Sequence, residues 1–232
     1  MERHFEQQID KLKTRLIKMC SLVDEQVEFA IRSVLEGNTE LAGLVIERDN
    51  KVDKYDIKID KICMKLFALN QPVAMDLRLI MSALTINNNL ERMGDLAVNI
   101  AAGAEKFREK PAFFDEAGFA ETSSAAMEMV RESIDSFVDN NPALAKKVLA
   151  ADDRLDELTR NNQKKLIEIM KRDSSYIDTA VQLYTMYDAF ERLGDHSTNI
   201  AENVYFIVEA EMIKHRYEGY LSKVEGGEEE DA

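Results

Sequence analysis

Two aspartates four residues apart, Asp49 and Asp53, are followed by a second acidic pair, Glu91 and Asp95. The same arrangement recurs as Asp152 with Asp156 and Glu191 with Asp195. Four-residue spacing puts both members of a pair on one face of an α-helix. Like charges at that spacing weaken a helix by roughly a few tenths of a kcal/mol, so a compensating partner is expected. Oxygen-rich clusters of this kind suit hard or borderline cations such as Mg, Mn, Fe and Zn. One D-x-x-x-D alone, in a chain with 44 acids, is ordinarily a solvated face. Its repetition is what makes these eight carboxylates candidate metal ligands.

The second pair of each set is embedded in a longer motif, Glu91-Arg92-Met93-Gly94-Asp95 and Glu191-Arg192-Leu193-Gly194-Asp195. Glycine inside a helix costs about 1 kcal/mol relative to alanine. Its place on the acidic face leaves room for an ion or for a closely packed neighbouring helix. Arg92 and Arg192 read as salt-bridge partners. Asn99 and Asn199 read as outer ligands or as partners of the backbone. His196 points about 100° away from Asp195 around the helix and is expected at the surface. Asp56 and Asp60 prolong the stripe of Asp49 and Asp53. The matching positions are Thr159 and Gln163, so these two acids stay outside the candidate set.

Six helices would carry these residues. Apolar residues recur in steps of three and four from Phe5 through Val34, the pattern of an amphipathic helix ending near Leu35. Gly37-Asn38 stops it, with Asn38 able to cap the next. The second helix runs from about Leu41 to Leu69, and Asn70-Gln71-Pro72 ends it. The third is predicted from about Met75 to Glu109. Lys110-Pro111 and Gly118 bracket a looser junction. The fourth spans about Phe119 to Asp139, and Asn141-Pro142 restarts the chain with an N-cap and a first-turn proline. The fifth reaches about Arg172. Ser175 with Asp178 resembles a capping box, and the sixth helix runs to about Tyr217. Glu225 to Ala232 is glycine and acid and is expected to be disordered.

The halves are copies. Shifted by 103 residues, Val27–Asp53 matches Val130–Asp156, and beyond the next loop a shift of 100 aligns the E-R-x-G-D motifs and the following N-I-A. The expected fold is all-α, two tandem antiparallel three-helix bundles over 1–112 and 113–221, with an acidic tail at 222–232. Within each copy a short loop makes the second and third helices antiparallel neighbours. Asp53 and Glu91 are both 19 residues from position 72, and Asp49 and Asp95 are both 23 from it. In the second copy Asp156 pairs with Glu191 and Asp152 with Asp195 by the same count. The four carboxylates of each copy should therefore meet at one level of the hairpin and raise one another's pKa values.

Composition narrows the function. The formal net charge is −14 and no strong basic patch stands out, so nucleic acid and anionic lipid are not expected partners. No apolar run is long enough to span a membrane, and the polar start Met1-Glu2-Arg3-His4 lacks the apolar region of a signal peptide. Cys20 and Cys63 sit in helical patterns without C-x-x-C spacing and read as reduced, buried thiols.

The E-R-[ML]-G-D-x-x-x-N-I-A pair, the D-x-x-x-D pair and the tandem three-helix layout together resemble the PhoU family, the accessory and regulatory proteins of bacterial phosphate uptake. The resemblance covers essentially the whole chain except the acidic tail. It implies a cytoplasmic homodimer that is not an enzyme. It also implies multinuclear metal clusters, of iron first and of zinc, manganese or magnesium as alternatives. Their ligands would be Asp49, Asp53, Glu91 and Asp95, and then Asp152, Asp156, Glu191 and Asp195. The implied partners are the ATPase subunit of the phosphate ABC transporter and a PAS-containing sensor histidine kinase, both restrained when phosphate is plentiful. Two rival readings from other classes are a carboxylate-bridged metal enzyme, an oxidase or phosphatase, and a metal-free scaffold for a basic partner. Di-iron enzymes usually bring E-x-x-H motifs, and none occurs in these pairs.

Overall fold

The computed structural model describes residues 2–213. Among these residues every regular element is helical: α1 (Glu2–Glu36), α2 (Thr39–Leu69), α3 (Ala74–Ala102), α4 (Phe119–Val138), α5 (Pro142–Arg172) and α6 (Ile177–Glu209), with short 3-10 turns at Ala104–Phe107 and Ser174–Tyr176. The helices form two antiparallel three-helix bundles, α1–α3 and α4–α6. The apolar stripe of each helix is its buried face: Leu12, Leu16, Met19, Val23, Val27 and Val34 of α1 are all fully buried.

The loops behave as their chemistry dictates. Gly37 has φ +63°, and a Cβ there would lie 2.9 Å from the Arg108 carbonyl, so both conformation and space require glycine. The Asn38 side chain accepts from the backbone N–H groups of Glu40 and Leu41 at 3.0 and 3.1 Å, and Asn141 accepts from Leu144 at 3.1 Å. These caps satisfy donors that the first helical turn leaves orphaned.

Three boundaries differ from expectation. α3 ends at Ala102, not near Glu109, and the chain tightens into the Ala104–Phe107 turn. The 3-10 turn keeps Ala104 and Phe107 pointing inward, so the apolar spacing looks helical although the helix has stopped. The junction that follows is packed, not loose. Phe107, Phe114 and Phe119 stack in series with Phe190 and Tyr187 at centroid distances of 5.3–6.5 Å. The expected boundary at 112/113 falls within it. No capping box forms at Ser175. Asp173 instead accepts from the Ser175 N–H at 2.9 Å, and α6 starts after Tyr176 without a side-chain cap. An aspartate two residues ahead closes an Asx turn more readily than a serine reaches three ahead. α6 ends at Glu209 rather than near Tyr217, with Ala210 in the left-handed region. Tyr217 itself and the acidic tail lie outside the described residues.

The two bundles join along α3 and α6, which pack antiparallel. Asn89 of α3 meets His196 of α6, and Gly103 lets α3 approach Gln182 and Met186. This arrangement leaves α2 and α5 on the outside, each with its acidic face beside the third helix of its own bundle.

Candidate metal centre

Each acidic set lies where the second and third helices of a bundle run side by side, and the glycine sets their separation. A Cβ at Gly94 would stand 3.3 Å from Asp49 Oδ1 and 3.3 Å from Val52; at Gly194 it would stand 3.4 Å from Asp152 Oδ1 and 2.8 Å from Leu155. The missing side chains thus admit the neighbouring helix together with its aspartate. Asp49 faces the Glu91–Asp95 turn, and Asp152 faces the Glu191–Asp195 turn, in the register counted from the hairpins.

The carboxylates of each set feel one another. Burial, then repulsion from Asp53 and Asp95, raises the pKa of Asp49. Glu91 is raised by burial and then chiefly by Asp95. In the second copy, burial and then Asp156, Asp195, Asp153 and Glu191 push Asp152 up to about 6. Glu191 and Asp195 are raised by burial and by Asp156. Asp49, Glu91, Asp95, Asp152 and Asp156 are half-buried, while Asp53, Glu191 and Asp195 are exposed. All eight lie on outer faces of the bundles rather than in their interiors.

The copies differ in detail. Gln26, buried on α1, donates to Asp49 Oδ1 at 3.0 Å and approaches the Gly94 carbonyl at 3.5 Å. The matching residue of the second copy is Met129, whose methyl group lies beside Gly194. Arg92 bridges Glu91 and Asp95 at 3.3 and 3.2 Å, as its position in the motif implied. Arg192 acts on Asp195 only through its charge. Asn99 is exposed and Asn199 half-buried.

Several residues escaped the sequence reading. Asn87, 1% exposed, donates to the carboxylates of both Asp56 and Asp60 at 2.6 and 3.1 Å. The first copy's acidic stripe is therefore longer and tied to α3. A buried asparagine on the apolar face of α3 was the available signal. His196 is half-buried between α3 and α6 instead of at the surface. Burial, then the charges of Arg192 and Arg92, lower its pKa to about 4, and Asn89 Oδ1 lies 2.8 Å from Nδ1. Angular position around α6 could not reveal that α3 covers that side. Finally, four lysines gather on the outer face of α1 and α2, a basic patch that charge counting along the chain does not show.

An all-carboxylate donor set fits a hard or borderline cation, and the mutual repulsion within each set is what a cation would relieve. As the side chains stand, no three His, Cys, Asp or Glu groups among the described residues are gathered tightly enough to hold one ion.

Known proteins identify the lineage. The PhoU domain model matches this chain twice, over residues 16–104 and 119–204, one match per bundle. This chain belongs to the PhoU family. Among PhoU relatives, a phosphate-specific transport system accessory protein PhoU homolog of Aquifex aeolicus is 36% identical over 90% of this chain and 95% of its own length. The homolog of Zymomonas mobilis is 30% identical over 93% of this chain and 91% of its own. The crystal structure of PhoU from Pseudomonas aeruginosa superposes with TM-score 0.85 at 30% identity, covering 89% of this chain and all of that one (100%). PhoU from Streptococcus pneumoniae, described as a phosphate transport system regulatory protein, shares the fold at TM-score 0.82 and 23% identity, over 90% of this chain and 99% of that one. No helix among the described residues is long and apolar enough to cross a membrane.

Proposed function

We propose that this chain is a non-catalytic, cytoplasmic regulator of phosphate uptake that restrains the phosphate ABC transporter and the sensor histidine kinase of the same response when phosphate is plentiful. The observation that carries this reading is the end-to-end similarity to a relative named as an accessory protein of the phosphate-specific transport system, 36% identical over 90% of the chain. The chain would act as a homodimer, docking on the transporter's ATPase subunit and on a PAS-containing kinase. Its eight carboxylates, Asp49, Asp53, Glu91, Asp95, Asp152, Asp156, Glu191 and Asp195, would hold multinuclear metal clusters. Iron is the first choice, with zinc, manganese and magnesium as alternatives. When bound, the metal would neutralise each acidic face and fix the α2–α3 and α5–α6 hairpins. The chain's own contribution is the glycine-set helix spacing and the repulsion that favours a cation.

Two measurements test it. Elemental analysis of protein purified without added ions should find metal. The variant Asp53→Asn/Asp95→Asn/Asp156→Asn/Asp195→Asn should lose most of it, and retention equal to the parent would sink the proposed ligands. Affinity purification from cells at high phosphate should recover a transporter ATPase or a PAS-containing kinase. Recovery of neither, at high and at low phosphate, would overturn the regulatory reading.

A further inference from the structure

The outer groove between α1 and α2 collects positive charge on a chain whose net charge is −14. Lys18 of α1 faces Lys51, Lys54 and Lys58 of α2 around a concavity of about 380 Å³ floored by Leu22 and Tyr55. The spacing 51, 54, 58 keeps the three α2 lysines on one side of the helix. Among the described residues none of the four pairs with an acid within 4.0 Å. Lys58 instead lies over the Tyr55 ring, 5.5 Å from its centroid.

The internal repeat supplies a control. The corresponding positions in the second copy are Glu121, Arg154, Glu157 and Asn161. At those positions of the groove between α4 and α5, two acids stand with a single arginine. The same helix packing thus tolerates a groove without excess positive charge. Packing does not account for four lysines that pair with no acid among the described residues in the first one.

We propose that the α1–α2 groove binds an anion carrying two or more phosphoryl groups, held by Lys18, Lys51, Lys54 and Lys58. Lys51 and Lys58 are separated by about 10 Å along the helix axis, more than a single phosphate spans. The cluster is lysine without arginine. Lysine is depleted and arginine enriched where proteins dock on proteins, whereas ammonium groups bind phosphate as point charges without needing the planar geometry of a carboxylate fork. The concavity falls in the size range of small-ligand sites. Tyr55 closes the floor of the groove beneath Lys58, its ring partly buried against the core.

Titration calorimetry on the full chain at low salt, with inorganic tripolyphosphate, ATP, orthophosphate and a hexaglutamate peptide, tests the assignment. Tripolyphosphate or ATP should bind at least roughly tenfold more tightly than orthophosphate and should weaken steeply with added salt. Lys51→Gln/Lys54→Gln/Lys58→Gln alters exposed side chains only and should abolish that binding. Lys106→Gln/Lys164→Gln/Lys171→Gln, with the same change in charge elsewhere, should leave it unchanged. ATP binding more tightly than tripolyphosphate assigns a nucleotide, and equal binding assigns the phosphate chain. The proposal is overturned if neither polyphosphoryl probe binds, if the first triple variant binds as well as the parent (heat from metal stripping at the acidic faces would look like this), or if hexaglutamate binds as tightly as tripolyphosphate, which would point to an acidic protein segment.

Discussion

Gln26 donates a hydrogen bond to Asp49 at 3.0 Å from the buried side of the first acidic set, and Met129, its counterpart, leaves Asp152 without one. The bond lowers the proton affinity of Asp49 against the burial that raises it. Asp152 has no such relief and is pushed up to about 6. Two sites with the same four carboxylates therefore differ through their surroundings: burial raises both, Gln26 relieves only the first, and Asp153, where the first copy has Asn50, adds repulsion only to the second.

That difference predicts a pH effect in chelated, metal-free protein. Asp152 binds its proton more tightly folded than unfolded, where its value is 3.8. Its contribution to stability is thus fully present below pH 3.8 and lost as pH rises through about 6. Because the group is half exposed, solvent screening limits the effect to on the order of 1 kcal/mol. Urea melts between pH 4 and pH 7 should show Asp152→Asn more stable than the parent at the upper end, with the gap closing toward the lower. A gap that does not change with pH would contradict this origin.

The two motif glycines should respond differently to alanine. At Gly94 the new methyl meets neighbours at 3.3 Å, and at Gly194 it meets the buried Leu155 side chain at 2.8 Å. The gain in helix propensity is about 1 kcal/mol at both positions. Gly94→Ala should fall within about 0.5 kcal/mol of the parent. Gly194→Ala should be destabilised by about 1 kcal/mol, because overpacking a core outweighs propensity. Thermal melts of the pair decide the order.

Tyr187 fastens the inter-bundle junction to α6. Its hydroxyl, fully buried, donates to the Ala117 carbonyl at 2.7 Å. Tyr187→Phe leaves that carbonyl without its partner and should cost about 1–2 kcal/mol. Hydrogen exchange should show faster opening in residues 113–118 before the rest of either bundle. Uniform acceleration across the chain would contradict a local fastening.

Cys20 and Cys63 are buried free thiols, each pushed up to about 12 mainly by burial. At pH 8 roughly one molecule in ten thousand carries a given thiolate. Ellman's reagent should therefore label the folded chain only at the rate of opening, and both thiols should react at once in urea. Rapid labelling of either under native conditions would contradict its burial.

The chain by itself determined its helices, its repeat and the meeting of its acids, because each depends on local rules: apolar period, capping residues, and equal counts from a short turn. Asn38 and Asn141 were readable as caps because a cap is made within four residues. The PhoU resemblance was legible for the same reason, since it rests on contiguous motifs. What only the tertiary structure decided depends on residues far apart in sequence. Gln26 reaches Asp49 and Asn87 reaches Asp56 and Asp60 across helix boundaries. His196 is covered because α3 lies against it. Lys18 joins Lys51, Lys54 and Lys58 only because α1 and α2 run side by side. Charge summed along the chain says acidic, but electrostatics acts through space, and folding collects these scattered lysines into one groove.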